Sequence, residues 1–278
     1  MEKILIFYGT EEFRGSLDRL KKEASNLNVF DKIIIYTPDD LPMHIKANPL
    51  MNYKKGGGYW IWKPYIIWKT LQDYPNSIVV YIDAGCSISK SEEWNQYFKF
   101  IEKHDTILFQ YRNSFDYGWN KMWPSATTKI GNWTKLNTQK YFDQLIKDEN
   151  WHSFDKIMGG IIICKNPKNE FIFQWLNITL FKSELIVDPI GNEIGNQKED
   201  FIEHRHDQSI ITPLAYYFSK RVNNIKILLE TSESKIGTPA IQANRLRTLI
   251  EESKLIKLKQ LIYIFIYHFK RKIKENKK

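Results

Sequence analysis

The sequence predicts an α/β protein, and three observations carry that prediction. Short apolar, β-branched runs alternate with amphipathic stretches of helical spacing from the first residues onward. The turns between them are short and marked by Gly, Pro, Asn and Asp. Hydrophobic residues make up 42% of the 278, enough to close one large core.

Residues 3–8 read as a first strand that stops at Gly9 and Thr10. Residues 17–27 have helical spacing, and residues 32–36 form a second β-branched run closed by Thr37, Pro38, Asp39 and Asp40. Strand, helix and strand joined by short turns predict a parallel βαβ start. Next comes GGGYWIWKP at 56–64, a glycine-rich aromatic loop opening into a helix over 64–74. Proline suits the first position of that helix, and it biases Lys63 before it toward extended backbone. Residues 78–82 are a third strand, apolar throughout, ending at Asp83, Ala84 and Gly85. A helix over 92–104 and a strand over 106–111 follow. Residues 112–135 read as an aromatic loop, 139–147 as a helix, and 157–164 as a strand containing Gly159 and Gly160. A helix over 169–182, a polar loop over 188–198, a helix over 206–221 and a strand over 226–229 complete the body. Residues 1–230 form the folded domain in this reading, and 231–278 a helical basic tail.

The formal charge of +9 is concentrated in that tail. Between Lys254 and Lys278 there are eight lysines and Arg271 against Glu275 alone, so the chain before them is nearly neutral. A neutral body excludes a broad nucleic-acid face, which needs a basic stripe over its docking surface. The tail mixes its lysines with an apolar run too short to span a bilayer. It predicts a basic amphipathic helix lying on an anionic membrane surface, or else a terminal helix packed on the domain with a frayed basic end. Cys86 and Cys164 show neither metal-ligand spacing nor a disulfide framework, and the apolar run at the N-terminus is too short for a signal peptide. The expected location is the cytoplasm, peripheral at the inner face of the membrane.

Three constellations carry chemistry. Gly56, Gly57 and Gly58 with Lys63 at a helix mouth form a candidate anion pocket, and Trp60 and Trp62 offer flat rings for a base or sugar. A tight turn with its aromatics in the core would use the same residues. Asp83 stands at the carboxyl end of a buried strand, where open α/β sheets bind ligands, and it could hold a divalent cation against a diphosphate. Arg205, His206, Asp207 and Gln208 crowd the start of an otherwise apolar helix. Asp207 could simply cap that helix. Equally, a carboxylate or amide beneath a sugar carbon that becomes cationic stabilises its transition state. Gly159 and Gly160 would let a substrate pass close to the backbone, or would form a bulge.

Taken in order, these motifs resemble bacterial nucleotide-sugar glycosyltransferases of the GT-A fold, of the kind found in capsule and lipopolysaccharide gene clusters. The resemblance spans residues 1–229. It implies one Rossmann-type domain with a mixed, mainly parallel central sheet. Asp83 matches the first acid of the family's DXD motif, which meets the Mn²⁺ or Mg²⁺ ion and the donor, with Ala84 and Gly85 beside it. The motif's second acid is Gly85 here, so Lys63 or Arg205 would carry part of the charge neutralisation. Asp207 and Gln208 match the acid–amide pair under the reacting carbon, with His206 or Asp207 a general base. Gly159 and Gly160 match the stretch that meets donor sugar and acceptor, and Trp119 and Trp123 in the aromatic loop would help hold the acceptor. The implied reaction moves a hexose, UDP-linked, to a growing surface polysaccharide or lipid-linked glycan. A non-catalytic sugar-binding scaffold or a nucleotide-sugar hydrolase is the alternative. The enzymatic reading requires Asp83 and Asp207 to face one cleft.

Overall fold

A computed structural model describes residues 1–112, 117, 127–222, 224–234 and 238–244. Trp119, Trp123 and the basic segment 254–278 lie outside the described residues. Six strands form the central sheet: β1 (Glu2–Tyr8), β2 (Lys32–Tyr36), β3 (Ser77–Ile82), β4 (Thr106–Gln110), β5 (Ile157–Lys165) and β6 (Ile225–Leu229). Their spatial order is β2-β1-β3-β5-β4-β6. β1 runs parallel to both β2 and β3, and β4 parallel to β6. β5 alone runs against its neighbours β3 and β4. The sheet is mixed and mainly parallel, as the sequence predicts.

Burial explains why the strands read so plainly. Every residue of β3 is buried, the pattern of a central strand covered on both faces. The helices are α1 (Arg14–Leu27), α2 (Trp62–Asp73), α3 (Glu93–Lys103), α4 (Leu136–Ile146), α5 (Glu170–Phe181) and α6 (Gln208–Arg221). α1 turns Leu17, Leu20 and Ala24 inward at helical spacing. α2 and α5 pack together, and α2 buries Ile66, Ile67 and Leu71. α6 is buried along most of its length, including Pro213. After β6 the chain returns, and Ile241–Gln242 pairs antiparallel with Ser87–Ile88 just beyond Asp83. Ala240 and Ile241 are buried, so described residues past 230 pack with the body. Among the described residues no helix is long and apolar enough to cross a membrane.

Two local expectations need correction. The helix expected to begin at Pro64 begins at Trp62, so Lys63 is helical and donates its N–H to the Trp60 carbonyl at 3.0 Å. Pro64 still sits in the first turn, where its missing N–H breaks no helical bond. The glycine-rich stretch is also no open loop. Gly56, Gly57, Gly58, Tyr59 and Trp60 are consecutive left-handed residues, with φ of 59°, 55°, 99°, 52° and 59°. Tyr59 and Trp60 each pay about 1 kcal/mol or more for that conformation.

Candidate active site

The fold sets Asp83 at the point where the chain changes direction across the sheet. β1 connects to β2 on one side and pairs with β3 on the other, so the carboxyl ends of β1 and β3 frame a crevice. Asp83 follows β3 directly and donates its N–H to the Gly160 carbonyl at 2.8 Å. The turn after it is tied down from α1. Arg19 Nη2 donates to the carbonyls of Ala84 and Cys86 at 3.2 and 2.8 Å, while Glu23 holds Arg19 and accepts from the Ile88 N–H.

Asp207 arrives from the opposite direction, at the mouth of α6. Its Oδ1 accepts the Gln208 N–H at 2.9 Å, so the capping role expected of it is present. Its Oδ2 accepts from Lys63 Nζ at 2.6 Å. The same ammonium donates to the Gly159 carbonyl at 3.0 Å and lies 3.3 Å from Asp83 Oδ1. Lys63 is 1% exposed, Asp207 10% and Asp83 41% by side chain. Burial alone would drive the Lys63 ammonium toward neutrality. Asp207 and then Asp83 outweigh it and raise its pKa above the ordinary lysine value. Tyr81 donates its hydroxyl to Asp83 from below.

Gly159 and Gly160 make room for this arrangement. A Cβ on Gly159 would fall 2.6 Å from Asp207 Oδ2, and one on Gly160 would fall 2.8 Å from Asp83 Oδ2. The pair is therefore a seat for two carboxylates, and the bulge is present too: the pairing of β4 with β5 shifts register between Leu108–Ile162 and Gln110–Ile157, across these glycines.

The two acids share a cleft of about 780 Å³. Gly57, Trp60, Trp62, Lys63, Asp83, Ala84, Gly85, Gly159, Gly160, Arg205, His206, Asp207 and Gln208 all line it. Gly58 faces elsewhere, tight against Met51, where an added Cβ would lie 2.5 Å from the sulfur. Trp62 stacks on Tyr8 with ring centroids 3.8 Å apart and donates its indole N–H to the Gly56 carbonyl. Arg205 lies over the Trp133 ring at 4.7 Å.

The structure gives two groups roles different from those the sequence suggests. The N–H groups of the glycine turn, from Gly57 through Ile61, are bonded to the carbonyls of Lys54, Tyr53, Lys55, Gly56 and Gly58. They form a closed left-handed turn rather than an anion cradle, and Lys63 faces protein oxygens instead of an anion. His206, also left-handed at φ 48°, directs Nδ1 at the Ile186 carbonyl at 2.8 Å, and its Nε2 is buried 3.6 Å from Asp188. Its ring stacks on Trp60 and meets Tyr59 edge-on. Burial, chiefly, holds it below the usual histidine range. With neither nitrogen offered to the cleft, His206 positions the aromatic wall and leaves Asp207 as the acid at the helix mouth. Asp188 closes the cluster, accepting from Lys55 at 2.9 Å and Tyr59 at 3.0 Å.

Several lining residues escaped the sequence reading. Tyr8 ends β1, Thr10 follows it and Pro38 follows β2, on the same edge of the sheet as Asp83. Their signal was present, since parallel strands deliver their carboxyl ends to one edge. Lys156 and Glu233 also line the cleft, with Tyr111 donating to Glu233 at 2.9 Å. Nothing local in the sequence marks them.

No protein-family model matches the chain, and no curated protein matches it. Solved structures with a similar arrangement include mouse xyloside xylosyltransferase 1, at 9% identity and a TM-score of 0.45, covering 90% of this chain and 100% of that one. The glycosyltransferase GlyE of Streptococcus pneumoniae is similar at 11% identity and a TM-score of 0.43, over 98% of this chain and 64% of its own. The galactosyltransferase LgtC, solved with donor and acceptor sugar analogs, is similar at 12% identity and a TM-score of 0.36, over 81% of this chain and 72% of its own.

Proposed function

We propose that the chain is a glycosyltransferase that moves a hexose from a nucleotide sugar, UDP-linked, to a hydroxyl of a surface polysaccharide or lipid-linked glycan. The observation that carries this reading is the meeting of Asp83 and Asp207 on one ammonium in one cleft. Asp83, the more exposed acid, would accept hydrogen bonds from donor hydroxyls. Asp207 and Gln208 would lie beneath the anomeric carbon. As the bond from that carbon to the diphosphate oxygen breaks and the bond to the acceptor oxygen forms, with the acceptor's hydroxyl proton passing to the departing diphosphate, the carbon gains positive charge. A fixed carboxylate at that point stabilises it. Tyr8 and Trp62 supply a stacked aromatic wall for the nucleoside, and Arg205 a cation for the leaving diphosphate.

The divalent ion that the resemblance implies does not fit the residues described. Asp83 Oδ1 is engaged by Tyr81 and Lys63, Gly85 replaces the second acid, and no group of three His, Cys, Asp or Glu among the described residues could hold a metal. The tail from Lys254, read from sequence, would keep the enzyme at the inner face of the membrane beside a lipid-linked acceptor.

Incubation with a panel of nucleotide sugars, with and without glycan acceptors, tests the proposal. Nucleoside diphosphate release that rises with acceptor supports transfer. Release independent of acceptor would identify a hydrolase, and no release with any donor would remove the enzymatic reading.

A further inference from the structure

Lys63 places a positive charge where an oxygen cage has formed. Asp207 Oδ2, the Gly159 carbonyl and Asp83 Oδ1 surround Nζ at 2.6, 3.0 and 3.3 Å. Carboxylate and carbonyl oxygens are the donors that hard divalent cations take. Two of them accept hydrogen bonds from the ammonium and the third lies at ion-pair distance. The rings of Tyr81, Trp62 and Trp60 lie 5.3, 5.9 and 6.0 Å from the same nitrogen, within cation–π range. The ammonium is buried and leaves one net negative charge on the two acids, where a divalent ion binds best to two.

We infer that Lys63 is a resident cation that replaces a divalent metal as the bridge between Asp83 and Asp207, so that the nucleotide-free protein has no divalent-ion site there and loses its bridge when Lys63 is removed. The assignment rests on the glycosyltransferase reading only for the use of the cleft. The cage and its occupant stand without it. Lys63 is then a positioning residue, acting through the two carboxylates.

The test is a Mn²⁺ titration of the full chain without nucleotide, read by electron paramagnetic resonance of the free ion and by thermal unfolding. The wild-type protein is expected to show no saturable Mn²⁺ binding and no Mn²⁺-dependent rise in Tm. Lys63→Met exposes the oxygen cage and both negative charges to the ion. It is expected to bind one Mn²⁺ at least about tenfold more tightly than the wild type and to gain Tm with Mn²⁺. If Lys63→Met is unfolded alone, recovery of its native circular dichroism on refolding with Mn²⁺, but not with choline chloride, gives the same answer. One Mn²⁺ bound per wild-type chain would overturn the inference. So would a folded Lys63→Met with wild-type Mn²⁺ affinity, or an unfolded one that Mn²⁺ does not rescue. Nucleotide-sugar binding, measured on the wild type separately, reports on the glycosyltransferase reading and leaves this result untouched.

Discussion

Gly159→Ala puts one methyl group where the site has no space. The new Cβ would fall 2.6 Å from Asp207 Oδ2 and 3.0 Å from its Cγ. Ordinary contact begins at 3.4 Å, so the carboxylate must retreat by about 0.8 Å. Its 2.6 Å bond from Lys63 then lengthens toward the limit of a hydrogen bond, while the ammonium stays buried. Weakening a charged hydrogen bond costs about 1.5–3 kcal/mol, and breaking a buried pair about 3–5 kcal/mol. A loss of about 2–4 kcal/mol is expected, which in a body of this size lowers Tm by roughly 5–15 °C. An acid displaced by nearly 1 Å from the reacting carbon should also lower turnover about 100-fold. Gly195→Ala is the internal control, because nothing lies within 4 Å of the added Cβ. That change should leave Tm level or slightly raised, since alanine restricts the unfolded chain. Urea or thermal unfolding of both variants, with nucleoside diphosphate release measured on each, decides the matter. If Gly159→Ala matches Gly195→Ala in stability and in rate, the tight seat for Asp207 is wrong.

Four other expectations follow. Asp83→Ala and Asp207→Ala should both abolish transfer, but only the second should strongly destabilise, because Asp207 is the closer partner of a buried lysine; equal Tm losses would contradict this. Arg19→Ala unties the Ala84–Cys86 turn at a distance from the cleft, so donor affinity should fall about tenfold with a small change in Tm, and unchanged affinity would dismiss the tether. Gly58→Ala meets both a φ of +99° and the Met51 sulfur, and should cost about 2–3 kcal/mol by urea titration. His204 and His206 are held below the histidine value of 6.5 by burial first, so the unfolded chain takes up protons below that pH before the folded one does. Tm should be level above about pH 6.5 and fall as pH drops further, and a Tm that rises on acidification would contradict the buried neutral histidines.

The strands, the parallel start and Asp83 at a strand end were legible because β3 is buried throughout and the βαβ rules leave few arrangements. The meeting of Asp83 with Asp207 could be stated only as a requirement, since contact between residues so far apart leaves no local pattern. Lys63 meets protein carboxylates where its sequence context suggests a ligand anion. A lysine beside glycines suggests a ligand anion, whereas its burial and its three oxygen neighbours exist only once α2, β5 and α6 are packed. The glycine turn misled for a related reason. Three glycines announce left-handed backbone, but not that the N–H groups from Gly57 through Ile61 already have carbonyls. Glu233 and Lys156 reach the cleft through tertiary packing alone.

Calorimetric titration of nucleotide sugars into the wild-type chain and into Asp83→Asn tests the shared cleft most directly. At least one nucleotide sugar should bind the wild type with a Kd below about 1 mM, and Asp83→Asn should weaken it about tenfold or more. Failure of every nucleotide sugar to bind the wild type, or equal affinity for the variant, would contradict the account.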